Sequence, residues 1–430
     1  MTSRERVWKA INFEEPDRVP IDLGGTKATG IHVDAYVELG QFLGLDVEMP
    51  KVYDQFQMLA RVEDPVRRRL HADVVQVENL VETWGFANRN WKVFKTGRGN
   101  EVLMPGAFNP VTDEKGGLSI LGSKGETLAH MPPGGLYFDR VTSTAMSDNV
   151  VFMDPAEWKN ALPLYRDEEL EVLQKQARLL RDYTDYSIHG GFNKFKMQTS
   201  GLLAGHTFTD WMCLLVTEKD YVYSILQATA ERNIENLKLY FEAVGDCIDT
   251  VLISTTDYGT QKGELINPEI FKELYLPNMK RVNDYVHRQG KIKTMYHTCG
   301  SVRNLIEYFI QAGVDILNPL QVNTANMDPR ELKREFGGRI VFWGGGIDTQ
   351  TTYQFGTPGD VRQQACERID VFAPGGGFVF APSHNTQHGV PAANIVAMAD
   401  AVVEYGRYPQ DPDAAPIGRQ SVNDGTTEVS

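Results

Sequence analysis

No apolar run in the chain approaches the ~20 residues that cross a bilayer, so the sequence predicts no membrane span. No Lys/Arg-rich segment occurs either, and the formal net charge is -14, which argues against nucleic acid or an anionic membrane as the main partner. Cysteine is scarce: Cys213, Cys247, Cys299 and Cys366 form no Cys-x-x-Cys pair. That is not a disulfide framework, and it fits a reducing, cytoplasmic setting. Cys213, Cys247 and Cys366 fall in helical or core contexts and are expected to be buried as small hydrophobes. The opening residues lack the apolar core of a signal peptide. No Gly-x-Gly-x-x-Gly follows an early strand pattern, which removes the main support for a dinucleotide-binding fold.

What is present is the composition of a soluble globular chain of 430 residues, 42% hydrophobic and 23% charged. Strand-like apolar runs recur at 249–254, 291–296, 314–317, 340–343 and 377–380, with helical patterns between several of them. Asp328 before Pro329 announces one helix, and Pro358 opens another. Further helices are predicted over 168–183 and 221–240. This alternation predicts an α/β fold, a (β/α)8 TIM barrel with an N-terminal extension, as a single domain over residues 1–410. From about 82 to 147, glycine, proline and short alternating runs such as 91–94 and 101–103 predict an inserted β-hairpin region. Residues 411–430 are polar and aperiodic, the pattern of a flexible tail.

His297-Thr298-Cys299-Gly300 is the most informative stretch. It ends a predicted strand, where residues two apart point the same way, so His297 and Cys299 could grip one ion. Val302, Leu305, Ile306, Phe309 and Ile310 then follow helical spacing. The pair therefore stands at a strand-to-helix turn, the end of α/β units where active sites form. Other strand ends deliver Asp257 and Tyr258, Asn318 and Gln321, Gly344-Gly345-Gly346, and His384, Asn385, Gln387 and His388. A catalytic zinc site takes about three protein ligands and an open position. His297, Cys299 and His384 could supply them, with Asp257 as an alternative or fourth ligand. Asp257 could instead cap its turn, and the triple glycine could serve either close approach to a ligand or a tight loop. Asn318, Gln321, Asn385 and Gln387 read as a polar lining, and His388 as a surface loop residue.

Several of these segments together resemble the uroporphyrinogen decarboxylase superfamily. They are Arg4-Glu5-Arg6-Val7, the run from Glu15-Pro16-Asp17-Arg18 to Asp22, Ile266-Asn267-Pro268-Glu269 with Pro277, the His297-x-Cys299-Gly300 turn, and Gly375-Gly376-Gly377-Phe378 with Asn394-Ile395. The resemblance spans about residues 3–405 and implies a (β/α)8 barrel with its cleft at the carboxy-terminal strand ends. The decarboxylase branch uses a basic early loop and no metal; here Asp22-Leu23-Gly24-Gly25-Thr26 stands in that neighbourhood. The other branch resembles methylcobalamin:coenzyme M methyltransferases and their demethylating relatives, which carry zinc on a His-x-Cys pair plus a later cysteine. This chain matches the pair and offers His384 at the third position.

The resemblance thus implies a zinc-dependent methyltransferase acting between a small methylated compound and a corrinoid or thiol acceptor. In it, Asp257 and His384 would be catalytic, and Tyr258, Gln321, Asn385 and Gln387 would hold the substrate. No Asp-x-His-x-x-Gly corrinoid signature occurs, so cobalamin is expected free or on a carrier protein. The competing readings are a metal-independent decarboxylase, with Arg18, Lys27 and Lys194 as its few nearby cations, and a barrel that binds a ligand without turnover. A homodimer is plausible from the apolar helix faces.

Overall fold

Seven short strands form one parallel sheet: β1 (Val74–Val77), β2 (Ser187–Gly191), β3 (Thr250–Thr255), β4 (Lys293–His297), β5 (Ile316–Asn318), β6 (Val341–Trp343) and β7 (Phe378–Val379). They pair in chain order from β1 to β7. Most of their residues are buried on both faces, as a parallel sheet covered by helices outside and side chains inside requires. The computed structural model describes residues 1–46, 48–141, 145–194 and 203–408. The tail expected at 411–430 lies outside them.

The sheet is curled until its edges meet. Between β7 and β1 runs the segment 20–22: Asp22 N–H donates to the Phe380 carbonyl at 2.9 Å, and Asp73 N–H donates to the Ile21 carbonyl at 2.7 Å. An irregular stretch thus stands where an eighth strand was expected, and the architecture is a TIM-barrel-like α/β fold. The helices between strands include Asp167–Tyr183, Lys219–Val244, Leu276–His287, Pro329–Phe336 and Pro358–Phe372. Asp328 caps one of them by accepting the Arg330 and Glu331 N–H groups, with Pro329 in the first turn. Thr357 and Asp360 form a capping box ahead of the last.

The amino-terminal helix Ser3–Ala10 does not project as an extension. Val7 and Ile11 pack into a cluster with Leu252, Met295, Ile316 and Val341, inward residues of β3 to β6. Arg4 donates to the Thr184 and Tyr186 carbonyls, just ahead of β2, so the helix closes the amino-terminal end of the barrel. Burying each such side chain contributes ~1.5–3 kcal/mol. At the opposite end a hairpin pairs Lys92–Lys95 with Glu101–Met104. An antiparallel sheet follows, from Val111–Thr112 through Leu118–Leu121 and Thr127–Met131 to Asp139–Arg140.

Candidate metal centre and cleft

The carboxy-terminal ends of β3, β4 and β5 are in register, with Thr255 opposite His297 and His297 opposite Asn318. That register decides the chemistry of the histidine. Asn318 donates Nδ2 to the Trp343 carbonyl at 2.8 Å, which turns its Oδ1 toward His297 Nδ1, also at 2.8 Å. An amide oxygen only accepts, so Nδ1 carries the ring proton and Nε2 keeps its lone pair for the cleft. Nε2 lies 3.5 Å from Cys299 Sγ and 3.9 Å from Asp257 Oδ1.

Cys299 lies beyond the strand, in a turn whose position is set by the neighbouring loop. Tyr258 N–H donates to Thr298 Oγ1 at 2.8 Å, and Cys299 N–H donates to Asp257 Oδ1 at 2.7 Å. Gly300 sits at φ 87°, and a Cβ there would come 2.3 Å from the Gly259 carbonyl carbon. Only glycine allows that conformation and approach. Backbone contact between these two loops is what brings Asp257 beside the His-x-Cys pair.

Asp257, His297 and Cys299 each offer a donor atom, all within 4.8 Å of one another. An imidazole nitrogen, a thiol sulfur and a carboxylate oxygen make a donor set suited to zinc. Burial, with Asp257 alongside, pushes the Cys299 thiol well above its ordinary range. A bound dication would reverse that balance, because a coordinating thiol is deprotonated. The tight trio takes Asp257 as its third member, where the sequence predicts His384 with Asp257 as an alternative or fourth ligand. His384 lines the same cleft. Burial and then the neighbouring His297 lower its pKa. Its Nδ1 is buried with no hydrogen-bond partner among the described residues.

The cleft is a cavity of about 600 Å³ that also touches Phe56, Gln57, Tyr137, Phe138, Asn385 and Gln387. A second chamber of about 280 Å³ shares Lys27, Thr83, Arg140 and Thr255 with it and reaches Gln76, His189 and Lys194. Asn385 is buried and donates to the Gln57 side chain, while Gln387 is exposed. Gln321 accepts the Gly300 N–H at 2.8 Å and so braces the metal-side turn.

Tyr258 is placed differently from the expectation. It is 1% exposed and packs against Phe271, Tyr275 and Phe309, because the loop after β3 turns it into the core. His388 is half-buried, its ring against His32 and Tyr137. Cys366 is buried, but Cys213 is exposed, since its helix turns that position outward, and Cys247 is half-buried in the loop between the helix Lys219–Val244 and β3. The triple glycine serves packing: a Cβ on Gly346 would meet the Phe380 ring at 2.5 Å.

Sequence reasoning missed Arg140 and His189, which stand in no motif. It also left Asn318 as a generic polar lining, when its amide selects the histidine tautomer. The cations weighed for a decarboxylase are engaged: Lys27 with Glu82 and Asp54, Lys194 with Glu169, and Arg18 with Asp73 below the strands.

A sequence model of the uroporphyrinogen decarboxylase (URO-D) family matches residues 146–405. No curated protein matches the chain in sequence. Among solved structures, a methyltransferase from Methanosarcina mazei superposes with a TM-score of 0.58 at 16% identity, covering 94% of this chain and 99% of that one. Such a likeness speaks to the fold. The homocysteine methyltransferase MmuM from Escherichia coli, in its apo form, covers 60% of this chain and 78% of its own at 11% identity, with a TM-score of 0.26 too low to carry weight.

Proposed function

The chain belongs to the uroporphyrinogen decarboxylase family, and we propose that it is a zinc-dependent methyltransferase. It moves a methyl group between a small O-, S- or N-methyl compound and a corrinoid or thiol acceptor. The observation that carries this reading is the His297 tautomer: Asn318 holds Nδ1, and Nε2 faces Cys299 Sγ at 3.5 Å beside Asp257. Residues 20–22 are read as the eighth stave of the barrel.

Zinc held by His297 and Cys299, with Asp257 or His384 as third ligand, supplies Lewis acidity toward the heteroatom that carries the methyl group. The protein's own groups do the rest. Asn318 keeps His297 in its ligating tautomer, and the Asp257–Cys299 N–H bond holds the thiol in place. His384, whose Nδ1 has no hydrogen-bond partner among the described residues, hydrogen-bonds the heteroatom as it gives up its methyl group. Phe56, Tyr137 and Phe138 give the cleft apolar walls that exclude water from the transfer. Corrinoid enters as a co-substrate, free or on a carrier protein.

A tetrapyrrole decarboxylase would need several unpaired cations to hold carboxylates, and Lys27 and Lys194 are each committed to an acid. Metal content of the purified protein tests the reading. The expected result is about one zinc per chain, lost in Cys299→Ser. Loss in Asp257→Asn with retention in His384→Ala makes Asp257 the third ligand; the reverse pattern makes it His384. Absence of zinc from every form sinks the mechanism and puts the decarboxylase first.

A further inference from the structure

Arg140 stands at the boundary of the two chambers and lines both. Its guanidinium lies 5.6 Å over the Phe56 ring and 5.4 Å over the Trp84 ring, and those rings meet edge-on at 5.8 Å. Aromatic faces orient a planar cation without neutralising it. Among the described residues no carboxylate pairs with Arg140, whereas the other chamber cations, Lys27 and Lys194, are each salt-bridged. The side chain keeps access to solvent, and partial burial alone lowers its pKa, with no acid acting to raise it.

A second observation comes from the far wall of the inner chamber. His189 is 1% exposed, its Nδ1 is 2.7 Å from Thr250 Oγ1, and its Nε2 has no hydrogen-bond partner among the described residues. Leaving a buried polar atom without a partner is costly, and a polar ligand group offsets that cost. The chamber therefore offers an uncompensated cation at one end and an unsatisfied imidazole nitrogen at the other.

We propose that the mouth of the inner chamber, where it meets the cleft, is the acid subsite: the substrate is a carboxylic acid whose carboxylate is held there by Arg140, with its body along the cleft and its methyl-bearing end toward His297 and Cys299. One orienting cation fits one carboxylate, and the Phe56 wall fits an apolar body attached to it. The direction of the methyl end rests on the methyltransferase reading; the acid binding does not.

Titration calorimetry with 4-methoxybenzoate and its uncharged amide, 4-methoxybenzamide, tests this. The acid is expected to bind at least about tenfold tighter than the amide, as a charge-assisted bidentate contact would give. Arg140→Gln should erase that preference and Arg140→Lys keep part of it, with unchanged melting temperatures. Equal binding of acid and amide, an unaffected Arg140→Gln variant, or no binding of the acid would each overturn the proposal. Repeating the titration after chelator treatment separates the two readings. Acid-selective, Arg140-dependent binding that survives without metal upholds the subsite even where methyl transfer is never found.

Discussion

At the residue scale, the amide of Asn318 decides what His297 can do. An asparagine that accepts from Nδ1 and donates to the Trp343 carbonyl leaves only one tautomer. Asn318→Ala should therefore weaken zinc binding by ~10–100-fold, the usual cost of losing such a supporting contact. Metal competition with a chromophoric chelator would show it. An unchanged affinity would mean that the ring is oriented by something other than Asn318. Much of this site was legible beforehand, since His297 and Cys299 share a four-residue stretch. Asp257 was legible only as a candidate. Its neighbourhood with the pair depends on Gly259 and Gly300 passing in backbone contact, which no local pattern encodes.

At the scale of elements, the strands and capped helices follow from local rules. Apolar runs bounded by turn residues, and Asp328 or Thr357 ahead of a proline, specify them within a few residues. The anchoring of the first helix does not. Arg6 and Arg18 both reach Asp73, whose side chain is fully buried at the start of β1, and Asp73 also accepts the Ile21 N–H at 2.9 Å. One carboxylate thus ties the floor helix to the segment that spans the gap in the sheet. Removing its charge leaves the largely buried Arg18 guanidinium without an acid among the described residues, while Arg6 keeps Asp17. Asp73→Asn should cost ~3–5 kcal/mol by the general behaviour of broken buried ion pairs. A shift of the urea midpoint measures it, and a shift equivalent to less than ~1 kcal/mol would show that the helix is held by packing alone.

At the scale of the whole molecule, stability should fall in acid, and His189 gives part of the reason. Burial drives its pKa down to about 3 from the ordinary 6.5. Between those values the unfolded chain binds a proton that the folded chain refuses, so stability rises with pH across that window and is lost as pH falls below 6.5. From pH 6.5 to 5 the loss is about 2 kcal/mol, at ~1.4 kcal/mol per unit. Asp22 acts in the opposite sense. Burial raises it to about 6 despite the Trp343 and Thr29 donors, so its carboxylate becomes costly as pH climbs from 3.8 to 6. Comparing wild type with His189→Gln isolates the first effect. The variant should show a flatter melting-temperature profile below pH 6.5, and an identical slope would remove His189 from the account.

By itself the sequence determined the α/β class, the main strands and helices, the hairpin texture before residue 140, and the His297–Cys299 pair. All of these rest on periodicity and turn chemistry within a dozen residues. Tertiary structure alone decided the rest. It joined Asp257 to the pair, set the tautomer through Asn318, buried Tyr258 and freed the Arg140 guanidinium for the cleft. Those outcomes depend on strand register and on loops meeting across long sequence separations. The physical reason is that a side chain's partners are chosen by which backbones close packing brings together, and that choice is made by the whole chain.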